Sequence, residues 1–524
     1  MTRTLTRKSI RRLTRPPTPD MTADMTLHKN NTLEDPPMTS RSLHRTTLAL
    51  AMGAALLMVL AACAPIPKLD APGQTLQGDV AAQRLGLDGG QSQALDAQWW
   101  KSFRDPQLDA LVDQAIASSP NLALARARIA RAAALTENAE AAQRPSAQLE
   151  ADVTRQRITE NGIYPPPLAG SIRTLANIQA GLSYEFDFFG KHDAALQAAL
   201  GQRRAAEADA AAARLSVSNA VTKAYVALAR SQAQGRLLEQ QKTLRDQSLD
   251  LVRQRSAAGL DNGQDLRVAE APLPDIQRQQ VVLREQQALL RHQIAALTGQ
   301  GPKATESLDA ALPAVLDWQQ APHLDLLGRR PDLAAARARV EATAQDIRVA
   351  RAQFYPSVSL TAFVGLNSIG LDDLFKSGSR QYGAGPALHL PLFDSGRLRA
   401  NLRGSAAEQD AAIATYNAAV LDAVRDASDQ FTTLESLRQQ RTQQDALVAN
   451  ADSQAALAEQ RHRAGLTGRI ALLNAQQNQL LQQRGRIDLQ ALTVDAQVNL
   501  MRALGGGYAD PADPAPVTAA ADRR

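Results

Sequence analysis

The sequence predicts a mostly α-helical chain with a small β component, and the whole is written twice. Three observations predict it. Two stretches, 191–258 and 397–464, are each 68 residues long and contain no proline and little glycine. Their composition is dominated by Ala, Leu, Gln and Arg, which favour helix. Four shorter stretches alternate apolar and polar residues with period two, the pattern of half-buried strands. Finally, ordered sequence matches recur at offsets of 206 to 211 residues, the mark of a tandem duplication.

The N-terminus comes first. Arg41, His44 and Arg45 precede LALAMGAALLMVLAA, an apolar or small run over residues 48–62. Its fifteen residues fall short of the roughly 20 that a spanning helix needs. A basic start, an apolar run and small residues at its end define a secretory signal peptide. The run closes on Leu60-Ala61-Ala62-Cys63, the form of a bacterial lipobox. The small residues suit a peptidase, and the thiol is the group that is acylated. Cys63 then becomes the lipidated first residue of the mature chain, carrying diacylglycerol and an N-acyl chain. Each buried CH₂ of such chains adds about 0.8 kcal/mol of membrane affinity. The bland alternative is an incidental cysteine behind an uncleaved apolar segment. Residue 64 is Ala, whereas bacterial lipoproteins kept at the inner membrane typically carry Asp there, so the resemblance to sorted lipoproteins implies the outer membrane. Residues 1–37 are rich in Thr, Pro and Arg, and Met38 would open a leader of normal length. We expect translation to start at Met38.

Charge follows the same boundary. The chain carries 58 Lys plus Arg against 53 Asp plus Glu. Nine of those basic and four of those acidic residues lie in 1–62, leaving 49 of each from Cys63 onward. Bulk charge therefore argues for no nucleic-acid partner. The single cysteine excludes an internal disulfide framework and any multi-cysteine metal site. The scattered histidines form no HxxxH or HExxH pair, and no glycine-rich phosphate loop is present. We expect no metal site and no enzyme.

The duplication organises the rest. Pro120-Asn121-Leu122 followed by Ala125-Arg126-Ala127-Arg128 recurs as Pro331-Asp332-Leu333 followed by Ala336-Arg337-Ala338-Arg339, at offset 211. Pro145-Ser146 and Pro356-Ser357 keep that offset, and Ala258-Gly259-Leu260 matches Ala464-Gly465-Leu466 at 206. The reading is a leader 1–62 (38–62 the signal peptide), a lipidated segment 63–104 and a first repeat 105–300. A linker 301–330, a second repeat 331–504 and a disordered tail 505–524 follow. Strands are expected at 146–154, 177–187, 357–365 and 381–391. Their 9–11 residues suit a tilted membrane strand. A two-sided soluble sheet would alternate equally well. Four strands cannot close a spanning barrel and an open edge cannot survive in lipid, but three chains could close one. Each long helix would reach about 100 Å, far beyond a bilayer, and must project into water against neighbours. A soluble coiled-coil rod would explain the helices alone. Each helix is followed by a short glycine-containing turn, Gly259 to Gly263 or Gly465 to Gly468, and a returning helix. Pro165-Pro166-Pro167 and the stretch from Leu371 to Gly378 read as exposed loops. Pro272 and Pro274 depart from the smooth returning helix of the second repeat.

Several motifs together carry a family resemblance. They are Trp99-Trp100, Phe103, Asp105-Pro106 and Leu108; Arg329-Arg330-Pro331-Asp332; Phe354-Tyr355-Pro356-Ser357-Val358-Ser359-Leu360; and Leu390-Pro391-Leu392-Phe393-Asp394-Ser395-Gly396-Arg397. With the lipobox, the chain resembles outer-membrane efflux lipoproteins of the NodT type, relatives of the TolC and OprM channels. The resemblance implies a homotrimer whose twelve strands form one barrel and whose helices form a periplasmic tunnel. It implies a periplasmic adaptor protein and an inner-membrane resistance–nodulation–division pump as partners, outer-membrane lipid around the barrel, and passive export of small molecules. A duct for type I protein secretion is the neighbouring reading, and a periplasmic coiled-coil lipoprotein without a pore is the distant one. Gly190, Pro391 and Gly396 would mark barrel-to-tunnel transitions, with glycine bending the chain. The helix turns would close the tunnel and meet the adaptor.

Related channels often carry Tyr three residues before the second-copy glycine, with acidic residues beyond that turn forming rings. Here His462 takes the tyrosine position, and Ala471 and Asn474 stand where carboxylates can. Asp265 is equivalent to Ala471, with Asp261 nearby. Three-fold symmetry would multiply either aspartate into a cation-attracting ring. Alternatively, Asp261 caps the returning helix and Asp265 is a solvated first-turn residue. Arg461, Arg463 and Arg469 flank the second turn. They would pair with a neighbouring helix, meet an adaptor, or simply face solvent.

Overall fold

The computed structural model describes residues 66–76, 96–316, 330–391 and 393–510. Leu60, Ala61, Ala62 and Cys63, with the leader, lie outside the described residues. After a 3-10 turn, Trp99–Phe103, the first copy runs α1 (Pro106–Ser118), α2 (Pro120–Ala141), β1 (Ser146–Arg157), β2 (Ile172–Phe186) and α3 (Lys191–Ala257), then α4 (Gly263–Glu270) and α5 (Pro272–Leu297). The second copy runs α6 (Pro331–Ala352), β3 (Ser357–Ile369), β4 (Arg380–His389), α7 (Ser395–Arg463) and α8 (Arg469–Ala503).

Local chemistry sets the helix ends. Asp105 caps α1 by accepting the Gln107 and Leu108 N–H groups, with Pro106 at the first position. Pro120 and Pro331 open α2 and α6 in the same way. Four helices end on one device: a left-handed glycine, with the next N–H returning to the carbonyl five residues back. These returns are Leu260 to Arg255, 2.8 Å; Gln300 to Ala295, 2.8 Å; Leu466 to Arg461, 2.9 Å; and Gly506 to Met501, 2.8 Å. Gly259 at φ +71° and Gly465 at φ +74° are the residues this device requires. Gly263 and Gly468 have no such φ and open space where a Cβ would stand, so each tip turns on its first glycine alone. The prolines make a joint: α4 stops at Glu270, and α5 restarts with Pro272 at its first position.

The four strands form one antiparallel sheet in the order β1-β2-β3-β4. The strands outrun four of their expected limits. Beyond Thr154, for example, Arg155, Gln156 and Arg157 still pair with Thr174, Arg173 and Ile172, because the backbone ladder persists where the apolar alternation has stopped. β4 instead ends two residues early, at His389, ahead of Pro391, which has no N–H to give.

Among the helices, α3 is central and packs on α1, α2, α5, α6 and α8. Its upper seam with α6 is built from small residues: Gly201 sits where a Cβ would lie 2.9 Å from the Ala342 Cβ. Arg204–Glu341 at 3.3 Å and the Arg339–Asp209 pair flank that seam. The largest buried aromatics share one hub, where Trp99, Trp100, Phe103 and Tyr225 pack with Leu228, Ile294, Val494 and Val498. The two indoles meet edge-to-face at 5.9 Å, and the Tyr225 hydroxyl donates to Asp105 at 2.7 Å.

Three connecting segments are more ordered than their composition predicts. Residues 66–76 have no regular structure, yet the Leu76 N–H donates to the Asn417 side chain at 2.7 Å, and Asn417 returns a bond to the Gln74 carbonyl at 2.9 Å. The linker is held to both copies by glutamines that imitate backbone pairing. Gln232 bonds Leu308 O and Ala310 N at 2.9 and 2.8 Å, and Gln497 bonds Leu316 O and N at 2.7 and 3.1 Å. The tail expected to be disordered from Gly505 instead docks through Asp510: Tyr508 packs on Ala208, Ala334 and Ala335, and Asp510 pairs with Arg337 at 2.6 Å.

Candidate functional site: the two-faced sheet and the helix tips

The strand register sorts side chains onto two unlike faces. One carries Ala147, Leu149, Ala151 and Val153 beside Ile178, Ala180 and Leu182, then Leu360, Ala362 and Val364, then Tyr382, Ala384 and Leu388. Leu149 is 74% exposed and Tyr382 83%, so this apolar face has no cover within the chain. The opposite face is polar and hydrogen-bonded. Asn177 donates to Asp152 at 3.1 Å, and Gln381 reaches Asn177 at 2.8 Å and Gln179 at 3.1 Å. Gln381 lies opposite Gly365 and crosses it to reach β2. A Cβ on Gly365 would stand 2.2 Å from the Ile178 carbonyl oxygen, which explains the glycine. An uncovered apolar face backed by a polar one is the wall of a membrane barrel around water. Among the described residues no helix is long and apolar enough to cross a membrane.

Below the sheet, the chain turns into the helices. Gly190, at φ +69°, precedes α3, and Asp187 accepts the Asp193 N–H at 2.9 Å to cap that helix. Lys191 pairs with Glu185 at 2.8 Å and His192 with its other oxygen at 3.3 Å. On the second copy Pro391 leaves β4 and Asp394 precedes α7, pairing with Arg397 at 2.9 Å. Gly396 lies inside the first turn of α7 with an ordinary φ and open space around its Cβ position, so it makes no bend; of the two glycines only Gly190 does. Phe189 stacks on Tyr355 at 4.5 Å and ties the two junctions together.

At the far end the two tips differ. Asn262, not Asp261, is the cap of α4. Its side chain accepts the Gln264 and Asp265 N–H groups at 2.8 and 3.1 Å, while the Asp265 carboxylate takes the Asn262 N–H at 3.0 Å. The Asn-x-x-Asp spacing was the signal for this reciprocal box. Asp261 is drawn back to α3, where Arg255 grips both its oxygens at 2.8 Å. That guanidinium holds the Asp261 carboxyl below its ordinary range. A depressed pKa adds stability that is present above the unfolded value and lost as pH falls through the folded one, so this tip loosens only in acid. At the second tip His462 Nδ1 meets the Thr467 carbonyl at 3.1 Å, Arg463 pairs with Glu459, and Arg469 donates to Gln247 of α3 at 3.3 Å. Arg461 is exposed and has no polar side-chain contact among the described residues. Leu260 and Leu466 project from the two tips at 69% and 73% exposure. Within one chain the tips face solvent, and the positions where Ala471 and Asn474 stand offer no carboxylate.

A sheet too small to close alone, two-faced, standing on a bundle of 100 Å helices, defines a subunit of a trimeric barrel-and-tunnel channel of TolC type. The chain belongs to the outer membrane efflux protein family, whose profile matches residues 111–300 and 324–506, one block per copy. The multidrug resistance outer membrane protein MdtP of Escherichia coli (strain K12) is 33% identical over 487 residues, 90% of this chain and 98% of the relative. The fusaric acid resistance protein FusA of Burkholderia cepacia is 36% identical over 370 residues, 68% of each chain. The crystal structure of the outer membrane protein VceC from Vibrio cholerae aligns with a TM-score of 0.73 at 33% identity, covering 79% of this chain and all of that one. The protein is thus an outer-membrane efflux channel component, and its family consists of channels rather than enzymes.

Proposed function

We propose that three copies of this chain form the exit duct of a tripartite efflux system, driven by an inner-membrane resistance–nodulation–division pump and joined to it by a periplasmic adaptor. The observation that carries this reading is the pairing of one uncovered sheet face, apolar over its central rows, with a polar, hydrogen-bonded one. That pairing supplies a water-filled pore in lipid and argues against a rod without a pore. Exposed leucines on the helices, Leu421, Leu447 and Leu457 of α7 and Leu481 of α8, supply the apolar contacts that neighbouring copies would bury. Passage is passive, and the driving step belongs to the pump. The names of the relatives favour small toxic molecules over proteins as cargo: one is a multidrug resistance protein, another a fusaric acid resistance protein. Purified full-length trimer in planar bilayers will pass discrete single-channel currents; trimers that insert without conducting would refute the reading.

The lipid on Cys63 belongs to the same proposal, and intact mass measurement of the mature chain checks it: triacylated Cys63 is expected, and an unmodified thiol contradicts it. At the tip, Asp265 is the better candidate for a cation-attracting ring, because Asp261 is neutralised by Arg255. Asp265→Asn keeps the volume and removes three charges per trimer. The same recordings will show reduced cation preference, and unchanged conductance and selectivity would remove the ring.

A further inference from the structure

The polar face of the sheet carries one side chain out of keeping with it. From the row of Asp152, Asn177 and Asn367 down to that of Glu185, Ser359 and Ala387, its residues are Asn, Gln, Ser, Thr, Gly, Ala and carboxylates. Phe363 is the one large apolar side chain among them. The sheet's other aromatics, Tyr184, Phe186 and Tyr382, alternate onto the opposite, apolar face. Phe363 stands between two glycines, Gly181 on β2 and Gly383 on β4. A Cβ on Gly383 would lie 2.8 and 2.9 Å from the ring's Cε1 and Cζ, so the ring leans over β4 into the space that glycine leaves. It is still 39% exposed. Packing gives little reason for a phenylalanine here, since each neighbour on the face is polar or glycine.

Closing the barrel would not bury the ring in an apolar setting. Strands β2 and β4 of the same chain already flank it. The strand that a neighbouring copy would bring against β4 is β1, the other edge of the sheet, which carries Ser146, Gln148, Glu150, Asp152 and Thr154 on this face. Over the same rows the face holds no Lys or Arg among the described residues, and three copies only repeat that composition. Glu150 and Asp152 therefore set the sign of this part of the wall.

We infer that the barrel wall holds a binding station for planar aromatic cations, with the Phe363 ring as the stacking partner and Glu150 and Asp152 as the groups that draw cations in. The inference rests on the channel reading and adds to it a contact that favours one chemical class of cargo. An aromatic ring attracts cations over its face and stacks against other rings. Both attractions are modest at a wetted site, which suits a duct that must hold cargo briefly and release it.

The test uses purified full-length trimer in planar bilayers. Block of the current is titrated with ethidium, a planar aromatic cation, and with tetraethylammonium, a cation without a ring, each added on the barrel side. Phe363→Leu keeps an apolar side chain and removes the ring. It is expected to weaken block by ethidium about fivefold and to leave block by tetraethylammonium unchanged. Phe363→Tyr keeps the ring and should keep the ethidium block. The double variant Glu150→Gln, Asp152→Asn should weaken block by both cations alike. Ethidium block untouched by Phe363→Leu, an equal loss for both cations in that variant, or loss of ethidium block in Phe363→Tyr overturns the inference while leaving the channel standing. Block unchanged in the double variant overturns the role given to the carboxylates. Unaltered trimers that do not conduct overturn the channel reading and the inference together.

Discussion

A chain carrying Gly365→Ala will fail to assemble into heat-stable trimers in outer membranes, although one methyl group is all that is added. The ideal Cβ would stand 2.2 Å from the Ile178 carbonyl oxygen and 2.8 Å from the Gln179 Cα. These are backbone atoms of the partner strand, so no side-chain rotation relieves the overlap. β2 and β3 must separate and break their ladder at the centre of the sheet, and the new group also blocks the path by which Gln381 reaches Gln179. Damage of this kind belongs to the rare class costing about 4 kcal/mol or more. Gly385, one strand over on the same face, has open space at its Cβ position, and Gly385→Ala will assemble normally. Heat-modified mobility of outer-membrane fractions reads both variants. Normal trimers from Gly365→Ala would mean the strands do not pair in this register.

Trp100→Ala is expected to have the second largest effect, by a different route. Trp100 is 1% exposed, meets Trp99 edge-to-face and lies under Arg214, 6.0 Å from the ring centre. Its hub joins the N-terminal turn, α1, α3, α5 and α8, so it fastens the first copy to the second. Truncating a buried tryptophan costs about 3–5 kcal/mol, a large share of the stability of an ordinary domain. The denaturant midpoint of detergent-solubilised trimer will fall clearly, and an unchanged midpoint would show that the hub is not the fastening. Leu466→Ala, by contrast, removes an exposed side chain and should leave that midpoint in place.

What the sequence makes legible follows from which interactions are local. Helix extent needs only composition and breakers, so the long helices are read almost to the residue, 191–258 against Lys191–Ala257. Period-two alternation locates every strand, but it tracks the apolar face and not the ladder, which is why β1 runs three residues further. The glycine pairs are half legible. Gly259 and Gly465 sit at left-handed positions, while Gly263, Gly468 and Gly396 share the pattern without needing it. The tips illustrate the limit. The Asn262-x-x-Asp265 spacing marks the cap, but the recruitment of Asp261 by Arg255 is a contact across a turn that spacing does not specify. The docking of Tyr508 on Ala208 and Ala334 joins positions hundreds of residues apart, and nothing in a Gly-, Ala- and Pro-rich tail announces it.

The central claim is that this chain provides the outward path for small molecules. The direct measurement is the rate of fluorescent dye efflux from preloaded, re-energised cells, with the gene deleted, restored, or restored as Gly365→Ala. Deletion should slow efflux, the unaltered chain should restore it, and the assembly-defective variant should not. Identical efflux in all three strains would contradict the account.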